Sequence, residues 1–259
     1  MFVSCQLYIT LAPEMGNILS NIFQAKKDKK KSLAVLIDPD SLSKKDLEQQ
    51  MTNAIKADVD YFFVGGSMIT DDCLDETLTF LKANTTIPII IFPGSVYQIN
   101  GKADAILFLS LISGRNAELL IGKHVLAAPM IKKSGIEVLP TGYMLIDSGK
   151  QTTASYVSGT LPIPNDKPTI AACTAMAGEM LGLQLTFLDG GSGAEKPVTS
   201  EMIKATAAVT SNPIIVGGGI STPEKAIENW NAGADIVVVG TAFENNPSII
   251  AEISKAKNR

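Results

Sequence analysis

With 259 residues, 46% of them hydrophobic and 19% charged, the chain can bury one large core, which excludes a disordered protein. Its length is close to the roughly 250 residues of a single (β/α)8 barrel domain. A net charge of −4 argues against a general nucleic-acid binder, because phosphate backbones recruit basic surfaces.

In chain order, Met1–Leu11 is apolar but has no basic residues before it and no small-residue cleavage site after it. Met15 opens a helical pattern, so residues 1–14 read as a disordered or mis-assigned extension of one barrel domain spanning 1–259. No stretch reaches the roughly 18 apolar residues of a membrane-spanning helix, so a transmembrane protein is not expected. Cys5, Cys73 and Cys173 are odd in number and widely spaced, which points to a reducing cytoplasm and small buried thiols. The lysines of Lys26–Lys31 read as a solvated helix end.

Eight short β-branched runs follow: Leu33–Asp38, Tyr61–Gly66, Ile87–Gly94, Ala105–Leu111, Pro140–Asp147, Leu185–Gly190, Pro213–Gly218 and Asp235–Gly240. They are continuously apolar rather than alternating, as in parallel strands buried on both faces. Amphipathic stretches lie between most of them. Ser43–Ala57 is expected to turn Leu47, Met51, Ala54 and Ile55 inward; Asp71–Ala83 starts with acidic caps. Thr199–Thr210 should bury Met202, Ile203 and Val209, and Thr222–Gly233 pairs a Thr N-cap and first-turn Pro with a terminal Gly. Alternating units of this kind predict an α/β protein, a (β/α)8 TIM barrel.

Two places break the rhythm. Gly94 to Ala105 is too short for a packed helix, so an abbreviated segment replaces the helix after strand 3. Asp147 to Pro168 is a long Thr/Ser/Pro-rich stretch of the kind that forms lids or binding loops.

Barrel function sits on the loops after the strands, so the strand ends form one ring of candidates. Gly217-Gly218-Gly219-Ile220 and Gly240-Thr241 let backbone amides approach an anion, with a short helix start behind them. Phe187-Leu188-Asp189-Gly190-Gly191-Ser192-Gly193-Ala194 places a carboxylate for polyol hydroxyls before a Gly/Ser loop that can face a phosphate. Asp38, in Ile37-Asp38-Pro39-Asp40, and Ser67, after Gly65-Gly66, suit Mg²⁺, a hard cation that takes few protein oxygens plus substrate phosphates. Asp40 could instead cap the next helix. Ile91, Phe92, Val96, Phe108 and Leu109 suggest an apolar trough between the two anion sites. His124 and Trp230 read as structural.

These strand-end motifs, together with Ile91-Phe92-Pro93-Gly94, Gly142-Tyr143 and Ile215–Ile220, occur in order from about Leu33 onward. As a set they resemble the geranylgeranylglyceryl phosphate synthase family, which includes the bacterial heptaprenylglyceryl phosphate synthases. The abbreviated segment after strand 3 is similar too. The resemblance implies transfer of a polyprenyl group, geranylgeranyl first, from its diphosphate to the 3-hydroxyl of sn-glycerol 1-phosphate, with Mg²⁺. It implies Asp38 and Ser67 as metal ligands. Phe187, Leu188, Asp189, Gly190, Gly191, Ser192, Gly193, Gly218, Gly219, Gly240 and Thr241 would bind glycerol phosphate. Asp189 would take the hydroxyl proton, and Tyr143 would steady the cationic fragment. The family usually carries Tyr-Leu-Glu where this chain has Phe187-Leu188-Asp189, and Leu36 stands where some relatives have a lysine.

A homo-oligomer and a transient membrane-surface contact for the product are further expectations from the resemblance. The alternative is another phosphate-binding barrel, a thiamine-phosphate-type synthase or a sugar-phosphate isomerase, since the glycine cup is common to all of them. A non-catalytic binding protein is disfavoured by the joint presence of Asp38, Ser67 and Asp189.

Overall fold

A computed structural model describes residues 17–41, 43–68 and 73–257. Eight parallel strands follow one another around a closed barrel: β1 (Ser32–Ile37), β2 (Tyr61–Val64), β3 (Ile89–Ile91), β4 (Ala105–Leu111), β5 (Glu137–Leu145), β6 (Leu185–Asp189), β7 (Ile214–Gly217) and β8 (Ile236–Val239). β8 pairs back onto β1, with Ser32 opposite Ile236. The continuous apolar runs are explained by burial on two sides. Ala34, Phe63, Ile90, Leu107, Leu139 and Leu185 point into the barrel, whereas Val35, Phe62, Ile89, Ile106, Leu188 and Val216 point out beneath the helices.

The helices are α1 (Asn17–Lys27), α2 (Lys44–Lys56), α3 (Cys73–Asn84), α4 (Lys123–Ser134), α5 (Thr153–Ser158), α6 (Pro168–Met180), α7 (Ser200–Ala207), α8 (Pro223–Ala232), α9 (Thr241–Asn245) and α10 (Ile249–Lys257). Local chemistry sets their ends. Ser43, Thr199 and Thr222 each accept a first-turn amide, and Gly233 ends α8. Ser43, not Asp40, is the N-cap of α2. On α2, Leu47, Met51 and Ala54 are buried as expected but Ile55 is exposed, because it lies off the edge of the inward stripe. Val209 falls beyond α7 and is only half-buried. Asp71 and Asp72, the acidic caps expected before α3, lie outside the described residues, as do Cys5, Met15 and the segment 1–14. Trp230 is buried and donates its indole N–H to the Ser32 carbonyl at 3.2 Å, a packing role.

α1 closes the N-terminal end of the barrel. Ile18, Leu19 and Ile22 join the interior cluster, and the Glu137 carboxylate accepts from the amides of Ile18 and Leu19 at 3.0 and 2.7 Å. The lysine run is therefore only partly solvated. Lys26 pairs with Asp235 at 2.9 Å and Lys31 donates to the Ala234 carbonyl at 2.7 Å, fastening the end of α1 to the barrel floor.

Between β3 and β4 there is only one short 3-10 turn, Val96–Gln98, so the outer ring lacks a helix there. That gap shapes the site.

Candidate active site

All the site features lie at the C-terminal ends of the strands, around a cavity of about 590 Å³. It is lined by Asp38, Ser67, Tyr143, Phe187, Asp189, Gly191, Ser192, Gly193, Gly218, Gly219, Gly240 and Thr241. The structure thus brings together nearly every residue singled out from the sequence. Leu188 and Gly190 do not line it: Leu188 points outward into the layer under the helices, and Gly190 sits behind the cup with its amide on the Gly217 carbonyl.

β6 and β5 aim two polar groups into the mouth. Asp189 accepts from the Tyr143 hydroxyl at 2.5 Å and from the Gly191 amide at 2.7 Å. Burial raises the Asp189 pKa above the ordinary carboxylate value, and these two hydrogen bonds only partly offset it. Burial, reinforced by the Asp189 charge, pushes the Tyr143 phenol well up, so it stays a donor. The phenol that Phe187 lacks thus reaches Asp189 from the neighbouring strand. Phe187 instead stacks on Phe92, with centroids 5.2 Å apart, and Tyr143 meets both rings edge-on.

The glycine cup depends on close backbone approach. Gly218 has φ +86°, and a Cβ there would sit 2.7 Å from the Gly191 nitrogen, so the β6 and β7 loops can touch only through glycine. The amides of Gly193, Gly218, Gly219, Gly240 and Thr241 donate to no described residue. Ser192 and Thr241 hydroxyls meet at 3.1 Å beside them. Unspent amides and hydroxyls converging on one concavity suit a phosphate.

Across the mouth, Asp38 extends from β1. A Cβ on Gly66 would fall 2.8 Å from its carboxylate, so this turn needs a glycine to leave the acid in place. Burial raises the Asp38 pKa, with the Asp40 amide at 3.2 Å pulling the other way. Glu244, in the first turn of α9, is raised by burial and then by the Asp38 charge, so two carboxylates share this side of the cavity. Sequence reading missed Glu244; the signal was its position three residues after Thr241, on the same helical face. Among the described residues no cluster of three or more His, Cys, Asp or Glu could hold a metal. The donor set nevertheless fits Mg²⁺: burial disfavours the Asp38 charge, a second carboxylate stands near, and Ser67 adds an oxygen, leaving positions for substrate phosphates.

From between these halves an apolar groove leaves the barrel through the missing-helix gap. Phe92, Val96, Phe108 and Leu109 line it as expected, joined by Ile99, Leu119, Ala127 and Ile131. Ile91 does not, because its side chain faces outward into the helix layer. His124 lies in this groove, edge-on to Phe108 at 4.5 Å. Burial lowers its pKa, against a hydrogen bond with the Leu109 backbone, and its buried Nδ1 has no partner among the described residues.

Comparison with known proteins accounts for this combination. A model of the PcrB family matches residues 25–257. The chain belongs to the PcrB family. The geranylgeranylglyceryl phosphate synthase of Chitinophaga pinensis is 54% identical over 243 residues, 93% of this chain and 96% of that protein. That of Spirosoma linguale is 52% identical over 225 residues, covering 87% and 90%. The crystal structure of (S)-3-O-geranylgeranylglyceryl phosphate synthase from Thermoplasma acidophilum, in complex with its substrate sn-glycerol-1-phosphate, superposes with a TM-score of 0.88 at 32% identity, covering 93% and 98%. On one barrel mouth the chain gathers a glycine cup, the carboxylates of Asp38 and Glu244, and an apolar groove.

Proposed function

We propose that this chain is a prenyltransferase that joins a polyprenyl diphosphate, geranylgeranyl foremost, to the 3-hydroxyl of sn-glycerol 1-phosphate and releases diphosphate. The carrying observation is the groove: it runs from the cavity that holds both the glycine cup and Asp38 to the missing-helix gap. A sugar-phosphate isomerase would want polar groups at the ends of β3 and β4, where this chain turns Phe92 and Leu111 to the cavity. The alternative barrels share the cup alone.

In this reading the cup holds the acceptor's phosphate and Asp189 orients its 3-hydroxyl. The allylic C–O bond breaks with its electron pair leaving on diphosphate, the glycerol oxygen forms the new ether bond at that carbon, and Asp189 takes the hydroxyl proton. The raised pKa makes Asp189 a better proton acceptor than an exposed carboxylate. The stacked Phe92 and Phe187 rings and the Tyr143 edge surround the allylic carbon and exclude water. Asp38 and Ser67, with Glu244 beside them, would hold Mg²⁺, which when bound neutralises charge on the leaving diphosphate.

Cys73 is half-buried and Cys173 exposed, not buried as expected, and the Cys173 thiol is free, which supports a cytoplasmic site. Among the described residues no helix is long and apolar enough to cross a membrane. Contact with a membrane surface has a candidate in α4, whose inner face lines the groove. Its outer side, with Ile121 two residues before it, exposes Ile121, Val125, Leu126 and Met130 among Lys123, Lys132 and Lys133. A homo-oligomer is the assembly we propose, to be checked by light scattering.

The deciding experiment incubates the protein with labelled sn-glycerol 1-phosphate, Mg²⁺ and prenyl diphosphates of graded length. An ether product dependent on both substrates is expected. It should disappear with chelator, and in Asp38→Asn with the fold intact by circular dichroism. Absence of product with every donor, or an undiminished Mg²⁺ response in Asp38→Asn, would overturn the reading.

A further inference from the structure

The segment that leaves β5 has no part in the reading above, yet it is laid along the glycine cup. Its course is fixed at several points. The Ile146 amide donates to the Asp189 carbonyl at 2.9 Å, and Asp147 and Ile163 bind it to the far end of the same segment. The Lys196 amide donates to the Ser148 carbonyl at 2.9 Å, and the Lys196 stem covers Gly149. Thr152, the N-cap of α5, packs so closely on Gly191 that a Cβ on that glycine would fall 2.8 Å from its methyl. Between these anchors stands Lys150. Its Nζ lies 3.6 Å from where a Cβ of Gly193 would be, at the edge of the cup.

Lys150 has no ion-pair partner among the described residues. The nearest acid in sequence, Asp147, accepts instead from the Gly149 amide at 3.0 Å. The cup itself holds amides and hydroxyls but no formal positive charge. Among the described residues lining the cavity, the one lysine or arginine is Lys123, on α4 at the groove. A phosphate dianion in the cup would therefore face dipoles alone, unless the strap supplies a cation.

We propose that Lys150 is the counter-charge of the phosphate held in the cup, a binding residue brought to β6 by the strap after β5. The inference rests on the reading that this cup takes the acceptor's phosphate. An ammonium on an exposed strap neutralises the anion without narrowing the cup, and its flexible stem lets acceptor enter and leave.

The test is calorimetric titration of the full chain and of Lys150→Met, Lys150→Gln and Lys150→Arg with sn-glycerol 1-phosphate and with inorganic phosphate, at low and high salt. Both neutral variants should bind each anion about tenfold more weakly and lose part of the salt dependence, whereas Lys150→Arg stays within about threefold of the parent. The melting temperature should not move, and the activity loss should appear in KM for glycerol phosphate while KM for prenyl diphosphate holds. Parent-like affinity in Lys150→Met would overturn the proposal. So would a matching loss in Lys150→Arg, or a fall in melting temperature with both substrates weakened together, which marks a structural lysine. Absence of phosphate binding by the parent chain overturns it as well. Lys150-dependent phosphate binding in a chain that transfers no prenyl group would uphold the counter-charge and defeat the transferase reading.

Discussion

Asp189 is a carboxylate kept out of water and held, among the described residues, by two donors, Tyr143 and Gly191. Its folded pKa is raised, so the folded state takes up this proton more readily than the unfolded chain. The ionised group thus costs stability, a cost absent below the ordinary 3.8 and complete once pH has risen through the folded value. Asp189→Asn keeps the shape. Its oxygen can accept from Gly191 and its amide can donate to the phenol oxygen. We expect melting at neutral pH to be unchanged or raised, by no more than about 1 kcal/mol of stability, while turnover falls by about 100-fold or more. In the parent, turnover should decline as pH is lowered through the raised Asp189 pKa. A variant that melts well below the parent while retaining turnover would remove Asp189 from the proton step. Residues of this kind were legible because strand-end position fixes where a side chain points. Asp38, Asp189 and the glycines follow from motif plus alternation. Glu244 was legible only through its position one turn after Thr241, and Lys150 not at all, because the course of its strap depends on how a loop folds back.

At the scale of elements, the helices announced themselves by their caps, and Ser43, Thr199, Thr222 and Gly233 stand at the ends their chemistry implies. The missing helix was legible by subtraction, since the stretch from Gly94 to Ala105 cannot hold one. Ile91 was misplaced because one step along a strand reverses the face, and the trough was read from composition instead of parity. What sequence could not show is the floor. α1 has no side-chain cap of its own in the described structure; Glu137, 119 residues away from Ile18, accepts its first amides. Glu137→Ala should remove that cap and loosen the plug formed by Ile18, Leu19 and Ile22. A stability loss of about 1–2 kcal/mol is expected. Hydrogen exchange should quicken in α1, at the barrel's far end from the site, with kinetic constants unchanged. If α1 exchange stays slow, Glu137 is not what fastens it.

Across the whole molecule, the missing outer helix is the departure from a regular barrel that does the most to define its chemistry. Removing one outer helix opens a gap beside β4, where Phe108 and, packed beneath α4, Ile106 border the groove. α4 then borders lipid-sized apolar space on its inner side and bulk solvent on its outer side. It is apolar on both, which is unusual for a surface helix. Three features favour the proposed membrane surface over a second copy as the cover for that outer side. Lys123, Lys132 and Lys133 project among the exposed Ile121, Val125, Leu126 and Met130; no Asp or Glu occurs from Leu119 to Ile136; and a two-fold contact would set this basic patch against itself. Three lysines at about 1 kcal/mol each near an anionic surface, with apolar insertion added, give weak reversible attachment against the chain's overall charge of −4. The protein should therefore co-sediment with vesicles rich in phosphatidylglycerol, much less with phosphatidylcholine alone, and release as salt is raised. Val125→Glu combined with Leu126→Glu should abolish sedimentation and leave turnover of a short, water-soluble prenyl diphosphate untouched. If that pair instead converts an oligomer to monomers, with vesicle binding unaltered, α4 is an interface between copies and the membrane assignment fails.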